Sequence, residues 1–86
     1  MYIIAYADTV KKHDIPSLPK SARLLSQRAI ESRLITEPVH YGKPLRYSLN
    51  GHRCIRVADY RVIYRIDETG KTVYVVAIKH RKEVYE

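Results

Sequence analysis

The chain has a single cysteine, Cys54, so no disulfide can form within it, and a reducing compartment is expected. No stretch approaches the roughly 18 consecutive apolar residues that span a membrane. Met1-Tyr2-Ile3-Ile4 leads straight into strand-like sequence, without the charged stretch and long apolar run of a signal peptide. The expectation is a soluble, cytoplasmic protein with no membrane partner. Glycine is scarce too. Gly42, Gly51 and Gly70 are isolated turn residues, which excludes a glycine-rich phosphate loop. His13, His40, His52 and His80 lack metal-ligand spacing, and one cysteine cannot complete a thiolate site. Neither a metal nor a cofactor is expected. There are no internal repeats, low-complexity segments or linkers. With 86 residues the chain reads as one domain, 1–86. A domain of this size buries only about 60% of its unfolded surface, so its core is modest.

Acidic residues are the other shortage. Nine Asp and Glu face 16 Lys and Arg, for a formal net charge of +7. Such an excess favours a polyanionic partner (nucleic acid, an acidic protein or a membrane surface), although it also serves plain solubility.

What is present is clear periodicity. Residues 2–7, YIIAYA, read as a first strand. Asp8 or Thr9 can cap a helix over 8–15, and Pro16 is expected to end it. The longest helical signal covers 17–38. There Ser17 is the candidate cap, Leu18, Ala22, Leu25 and Ala29 form an apolar stripe that Ile30 and Leu34 widen, and Pro38 is the expected stop. Residues 39–44 read as a loop, after which the period changes from 3.6 to 2. Strands are expected at 45–49, 52–58, 60–66 and 72–78, with Asn50-Gly51 as a hairpin turn, tight turns at Asp59 and 67–71, and a charged tail over 79–86. The fold class is therefore α+β. An N-terminal strand is followed by two helices packed on one face of a small, mainly antiparallel sheet of four to five strands.

Alternation assigns the faces. Ile55, Val57, Tyr60, Val62, Tyr64 and Ile66 belong with the helices. His52, Cys54, Arg56, Ala58, Arg61, Ile63 and Arg65 take the other, open face. Arg56 and Arg61 flank the turn at Asp59 and should lie close together. Clustered arginines repel unless water or an anion screens them, and phosphate matches the guanidinium fork through paired hydrogen bonds. The same pattern also fits a solvated strand face paired with Asp59, Asp67 and Glu68.

The string HRCIRVADYRVIYRIDETGKTVYVVAIKHRKEVYE resembles the second half of the RelE/ParE toxin superfamily. The pairing of DYRVIY with HRKEVY carries the likeness, and KKHDIPSLPKSARLLSQRAIESRL with EPVHYGKPLRYSLNG extends it over nearly the whole chain. The resemblance implies a RelE-like fold and the toxin of a type II toxin–antitoxin pair, with a cognate antitoxin as partner. RelE-like members cleave mRNA in the ribosomal A site, whereas ParE-like members poison DNA gyrase. The family's catalytic positions fall on Arg61, Arg81 and Tyr85. Its two basic positions in the preceding strand fall on Cys54 and Arg56, of which only Arg56 is charged. Ala58 stands where glycine is usual.

The implied reaction is attack of the RNA 2′-hydroxyl on its own phosphodiester, which needs no metal. It needs a base, cations around the crowded phosphate and assistance to the leaving oxygen. Arg56, Arg61 and Arg81 are the candidate cations, with Arg81 assisting departure by hydrogen bonding. Tyr85 is the candidate base, favoured by arginines that stabilise its ionised form, or else a stacking partner for a nucleobase. Arg53, Lys79 and His80 are candidate substrate-binding residues. Cys54 reads as an inert strand residue. An acidic or amphipathic antitoxin segment is expected to steer onto the basic face and block it.

Overall fold

The computed structural model describes residues 1–84 and shows an α+β fold on a mixed five-stranded sheet. The chain opens with β1 (Ile3–Tyr6). Three helical segments follow. α1 covers residues 10–17, a wide π-turn over Val10–Asp14 running into an α-turn over Ile15–Ser17. α2 covers residues 20–34, α-helical over Lys20–Ala29 and π-helical over Ile30–Leu34. α3 is the single turn Pro38–Tyr41. Then come β2 (Lys43–Pro44), β3 (Arg53–Val57), β4 (Tyr60–Asp67) and β5 (Thr72–His80). The sheet order is β1-β5-β4-β3-β2, with β1 parallel to β5 and every other pair antiparallel. No helix among the described residues is long and apolar enough to cross a membrane.

The strands expected at 52–58, 60–66 and 72–78 form, and the helices cover one face. Val10, Leu34, Val62, Tyr64, Val73 and Val75 are completely buried between the two layers. Each such aliphatic side chain stabilises the fold by roughly 1.5–3 kcal/mol. Leu25 departs from the expected stripe. It stays 45% exposed, while the small Ser26 is buried beside Ala22, Ala29 and Ile30 and lets the helix approach the sheet.

Three prolines behave differently from expectation. Pro16 does not end the first helix, which continues to Ser17. The preceding π-turn, closed by Ile15 N–H to Val10 O, gives the proline ring room that an α-turn denies. The break comes at Leu18, extended at ψ 139° before Pro19, and Pro19, not Ser17, caps α2. Pro38 starts α3 instead of closing the long helix, so part of the expected loop 39–44 is helical.

The strand expected at 45–49 is absent. The register pairs Lys43 and Pro44, Leu45 N–H still donates to His52 O at 2.9 Å, and Tyr47–Leu49 then forms a 3-10 turn entered through Tyr47 at φ 58°. The chain bends because Leu45 turns under the sheet, where it is buried against Cys54 and Ile63. Asn50-Gly51 does reverse the chain, with Gly51 at φ 91° and His52 N–H donating to Leu49 O, but as a turn closing this excursion and not as a two-strand hairpin. Leu45, Leu49 and Val84 thus cover part of the face expected to be open.

Two features aim the site. A β-bulge between Ile63 and Tyr64 leaves Val76 on β5 without an opposite residue. The alternation of β5 therefore shifts by one, so Ile78 meets Val62 in the core and Lys79 falls opposite Arg61. The second feature is a strut. Tyr64 Oη donates to Pro38 O, and Arg53 Nη2 donates to Val39 O at 2.7 Å and Gly42 O at 2.6 Å. Tyr64 lies so close to Gly42 that a Cβ there would sit 1.8 Å from its hydroxyl. Gly42→Ala is expected to destabilise the protein by about 1–3 kcal/mol through this overlap. Adding Tyr64→Phe should recover part of that loss, read by urea unfolding of the single and double variants. Simple additivity would contradict the contact.

Candidate nucleic-acid interface

Arg56 on β3 is the direct cross-strand partner of Arg61 on β4, and Arg61 is in turn opposite Lys79 on β5. The three cations form one row across the sheet. Like charges directly opposite destabilise a strand pair, on the scale of 0.2–1 kcal/mol. Among the described residues, the row is neutralised at the Lys79 end. Lys79 Nζ bonds Asp14 Oδ1 at 2.8 Å, while Asp14 Oδ2 accepts from Ile78 N–H at 3.0 Å. That N–H lies past the end of β1, so the carboxylate continues the edge pairing that β1 leaves off.

The three acids that might have neutralised the rest are engaged elsewhere. Asp59 Oδ1 is 3.8 Å from Arg81 Nε, Asp67 accepts from Gly70 N–H at 3.2 Å, and Glu68 accepts from Tyr2 Oη. Among the described residues, no carboxylate lies within 4.0 Å of Arg56 or Arg61. Arg61 Nη1 donates to two backbone carbonyls, Tyr60 O at 3.0 Å and Ala58 O at 3.4 Å. Ala58 holds φ 54°, a left-handed conformation that glycine adopts more cheaply, and this turn keeps the two arginines abreast.

A groove of about 320 Å³ lies at this end of the sheet, lined by Arg33, Tyr41, Lys43, Cys54, Ile55, Arg56 and Arg61. It runs along the stretch of β3 that β2 is too short to cover. Arg33 reaches in from α2 and donates from Nη1 to Arg56 O at 3.3 Å. The groove is thus lined by four cations and by the buried Cys54. Cationic forks beside an aromatic ring make an arrangement suited to a phosphodiester and an adjoining base.

The other expected site residues fall in different places. Arg81 sits just beyond β5 in a 3-10 turn, at the same end of the sheet as Arg61, largely exposed and paired with Asp59. Lys79 is in the row but occupied by Asp14. His80 faces the helix layer, edge-on to Tyr60 at 5.4 Å, and its Nδ1 accepts from Lys82 N–H. Arg53 points away from the groove into the strut beneath α3. Tyr85 lies outside the described residues. Arg33, Tyr41 and Lys43 were not anticipated. Arg33 looks like any solvated helix arginine, and the other two lie in sequence that reads as loop.

The chain matches, over residues 5–85, the model of the family described as ParE toxin of the type II toxin–antitoxin system. It belongs to the RelE/ParE toxin superfamily. Toxin RelG of Mycobacterium tuberculosis is 32% identical over 84 residues, covering 98% of this chain and 95% of the relative. Toxin RelE of the same organism is also 32% identical over 84 residues, covering 98% of this chain and 86% of the relative. Among solved structures, the toxin–antitoxin complex RelBE2 of M. tuberculosis superposes with a TM-score of 0.85 at 32% identity, covering 93% of this chain and 98% of that one. The isolated Escherichia coli RelE toxin shares the fold at a TM-score of 0.76 and 15% identity, with 93% and 84% covered. As a RelE/ParE toxin, this chain shares the fold of these solved toxins over 93% of its length.

Asp14 ties the toxin's cationic row to its helix layer. Burial pushes its carboxyl up, but Lys79, the Ile78 N–H and His13 outweigh that and hold it below the usual aspartate range. The depressed value means that the stabilisation is complete above the unfolded-state pKa, about 3.9, and is lost as pH falls through the folded value. Asp14→Asn should cost about 1.5–3 kcal/mol at neutral pH. In urea titrations across pH, the gap between wild type and variant should narrow below about pH 4. A gap that stays constant to pH 2 would contradict the ion pair.

Proposed function

We propose that the protein is a cytoplasmic toxin that cleaves mRNA, at the ribosomal A site, through metal-independent attack of the 2′-hydroxyl on the scissile phosphate. The observation that carries the reading is the opposed Arg56–Arg61 pair, held at a groove where, among the described residues, no carboxylate lies against either side chain. In the reaction the O2′–P bond forms as the P–O5′ bond breaks. The 2′-hydroxyl proton passes to a base, and the departing O5′ takes up a proton. The products are a 2′,3′-cyclic phosphate and a 5′-hydroxyl. Arg56 and Arg61 would hold the phosphate oxygens as negative charge builds on them, stronger in the transition state than before it. Arg81 would hydrogen-bond the leaving oxygen. Tyr85, assigned by its place in the HRKEVY motif, would serve as the base.

A cognate antitoxin is the proposed protein partner, since the RelBE2 relative is a toxin–antitoxin complex. An acidic or amphipathic segment would meet the basic groove and exclude RNA from it. The second reading, gyrase inhibition without nuclease activity, draws on the ParE family match and on Cys54, which stands where the resemblance places a basic residue. Mapping RNA 5′ ends after induction in cells separates the two. Cuts within translated codons support the nuclease; an SOS response with intact messages supports the gyrase reading.

Arg61→Ala is expected to stay folded by circular dichroism and to lose cleavage by 10²- to 10³-fold, roughly 2.7–4 kcal/mol of transition-state stabilisation. Arg61→Lys should recover only part, because a point charge cannot replace a bidentate fork. A folded Arg61→Ala variant with full toxicity would remove the phosphate-cradle reading.

A further inference from the structure

Lys43 is the direct cross-strand partner of Cys54, and both line the groove with Arg56 and Arg61. Cys54 lies two positions before Arg56 on the same face of β3, and it is buried. The edge strand thus sets an exposed lysine beside this face of β3, directly opposite Cys54 and two positions along from Arg56. Strands lie about 4.8 Å apart and rise about 3.3 Å per residue, which puts the Lys43 backbone on the order of 8 Å diagonally from that of Arg56. That is the span of one nucleotide step and not of one phosphate group. Among the described residues, no carboxylate lies within 4.0 Å of Lys43 either. Its position is rigid. The Arg53 bonds to Val39 O and Gly42 O, and the contact of Tyr64 with Gly42, fix the residue immediately before it. Tyr41, on the far side of Gly42, is half exposed and lines the same groove.

We infer that Lys43 binds the phosphate neighbouring the one held by Arg56 and Arg61, with Tyr41 beside it as a stacking surface for the nucleotide between them. The inference rests on the reading of this groove as an RNA site. It makes the substrate a single strand crossing from β4 over β3 to the edge at β2, because only an unpaired base is free to stack on Tyr41. The residue acts by binding charge, so its role is visible without catalysis.

The test measures binding of a short mixed-sequence single-stranded RNA, carrying 2′-O-methyl sugars to prevent cleavage, by fluorescence anisotropy across a salt series. Each phosphate contact in single-stranded nucleic acid contributes about 0.7 to the slope of log affinity against log salt. Lys43→Ala should lower the slope by that amount while remaining folded. Lys12→Ala, which removes the same charge from the helix layer, should leave it unchanged. Lys43→Ala with Cys54→Lys should restore the slope, since the ammonium then rises from the neighbouring strand. If the wild type binds while Lys43→Ala keeps the full slope, or Lys12→Ala lowers it equally, the inference is overturned and the groove reading stands. If the wild type does not bind this RNA at all, the groove reading falls and the inference falls with it.

Discussion

Two arginines face one another across β3 and β4, and the surroundings of the site follow from how that repulsion is handled. A sheet usually places opposite charges across a strand pair. Here Asp67 is spent on a turn, Glu68 on a tyrosine and Asp59 on Arg81. The pair is therefore left to solvent or to an anion. The third cation of the row, Lys79, is neutralised from behind by Asp14, which leaves the charge concentrated toward β3. A cluster kept charged at the expense of folding fits a group that meets negative charge during function, as strained or repulsive local choices often do.

Rigidity comes from the opposite face. Tyr64 and Arg53 stand on the core side of the sheet and hold α3 by its carbonyls, so the segment bearing Tyr41 and Lys43 is fixed to the same strands that carry Arg56 and Arg61. A site assembled on strands and braced from beneath keeps its spacing better than one on free loops. The bulge at Val76 belongs to the same design, since without it Ile78 would face Arg61 and Lys79 would turn into the core.

The sheet was largely legible in the sequence because period 2 is a strong signal when one face is fully buried. The positions of Arg56 and Arg61 followed from it directly, and so did the core roles of Val62 and Tyr64. The misread elements were those decided by tertiary contacts. Residues 45–49 alternate like a strand, yet burial of Leu45 on the second face bends them away. Pro16 and Pro38 were read as stops, but a π-turn accommodates one and the other starts a helical turn. The bulge leaves no mark in composition, so the pairing of Lys79 with Arg61 was invisible. Arg33 and Lys43 were missed for a related reason: nothing local separates a groove-lining cation from a solvated one.

The most direct measurement is the thermal stability of the protein in inorganic phosphate against chloride at equal ionic strength. The account predicts that phosphate raises the melting temperature of the wild type above its chloride value, since an anion binding only the folded state stabilises it. Arg56→Ala should abolish that increment and, by removing the opposed charge, melt slightly higher than wild type in chloride. Equal melting temperatures of the wild type in the two salts, together with a loss of stability in Arg56→Ala, would contradict an arginine pair held for an anion.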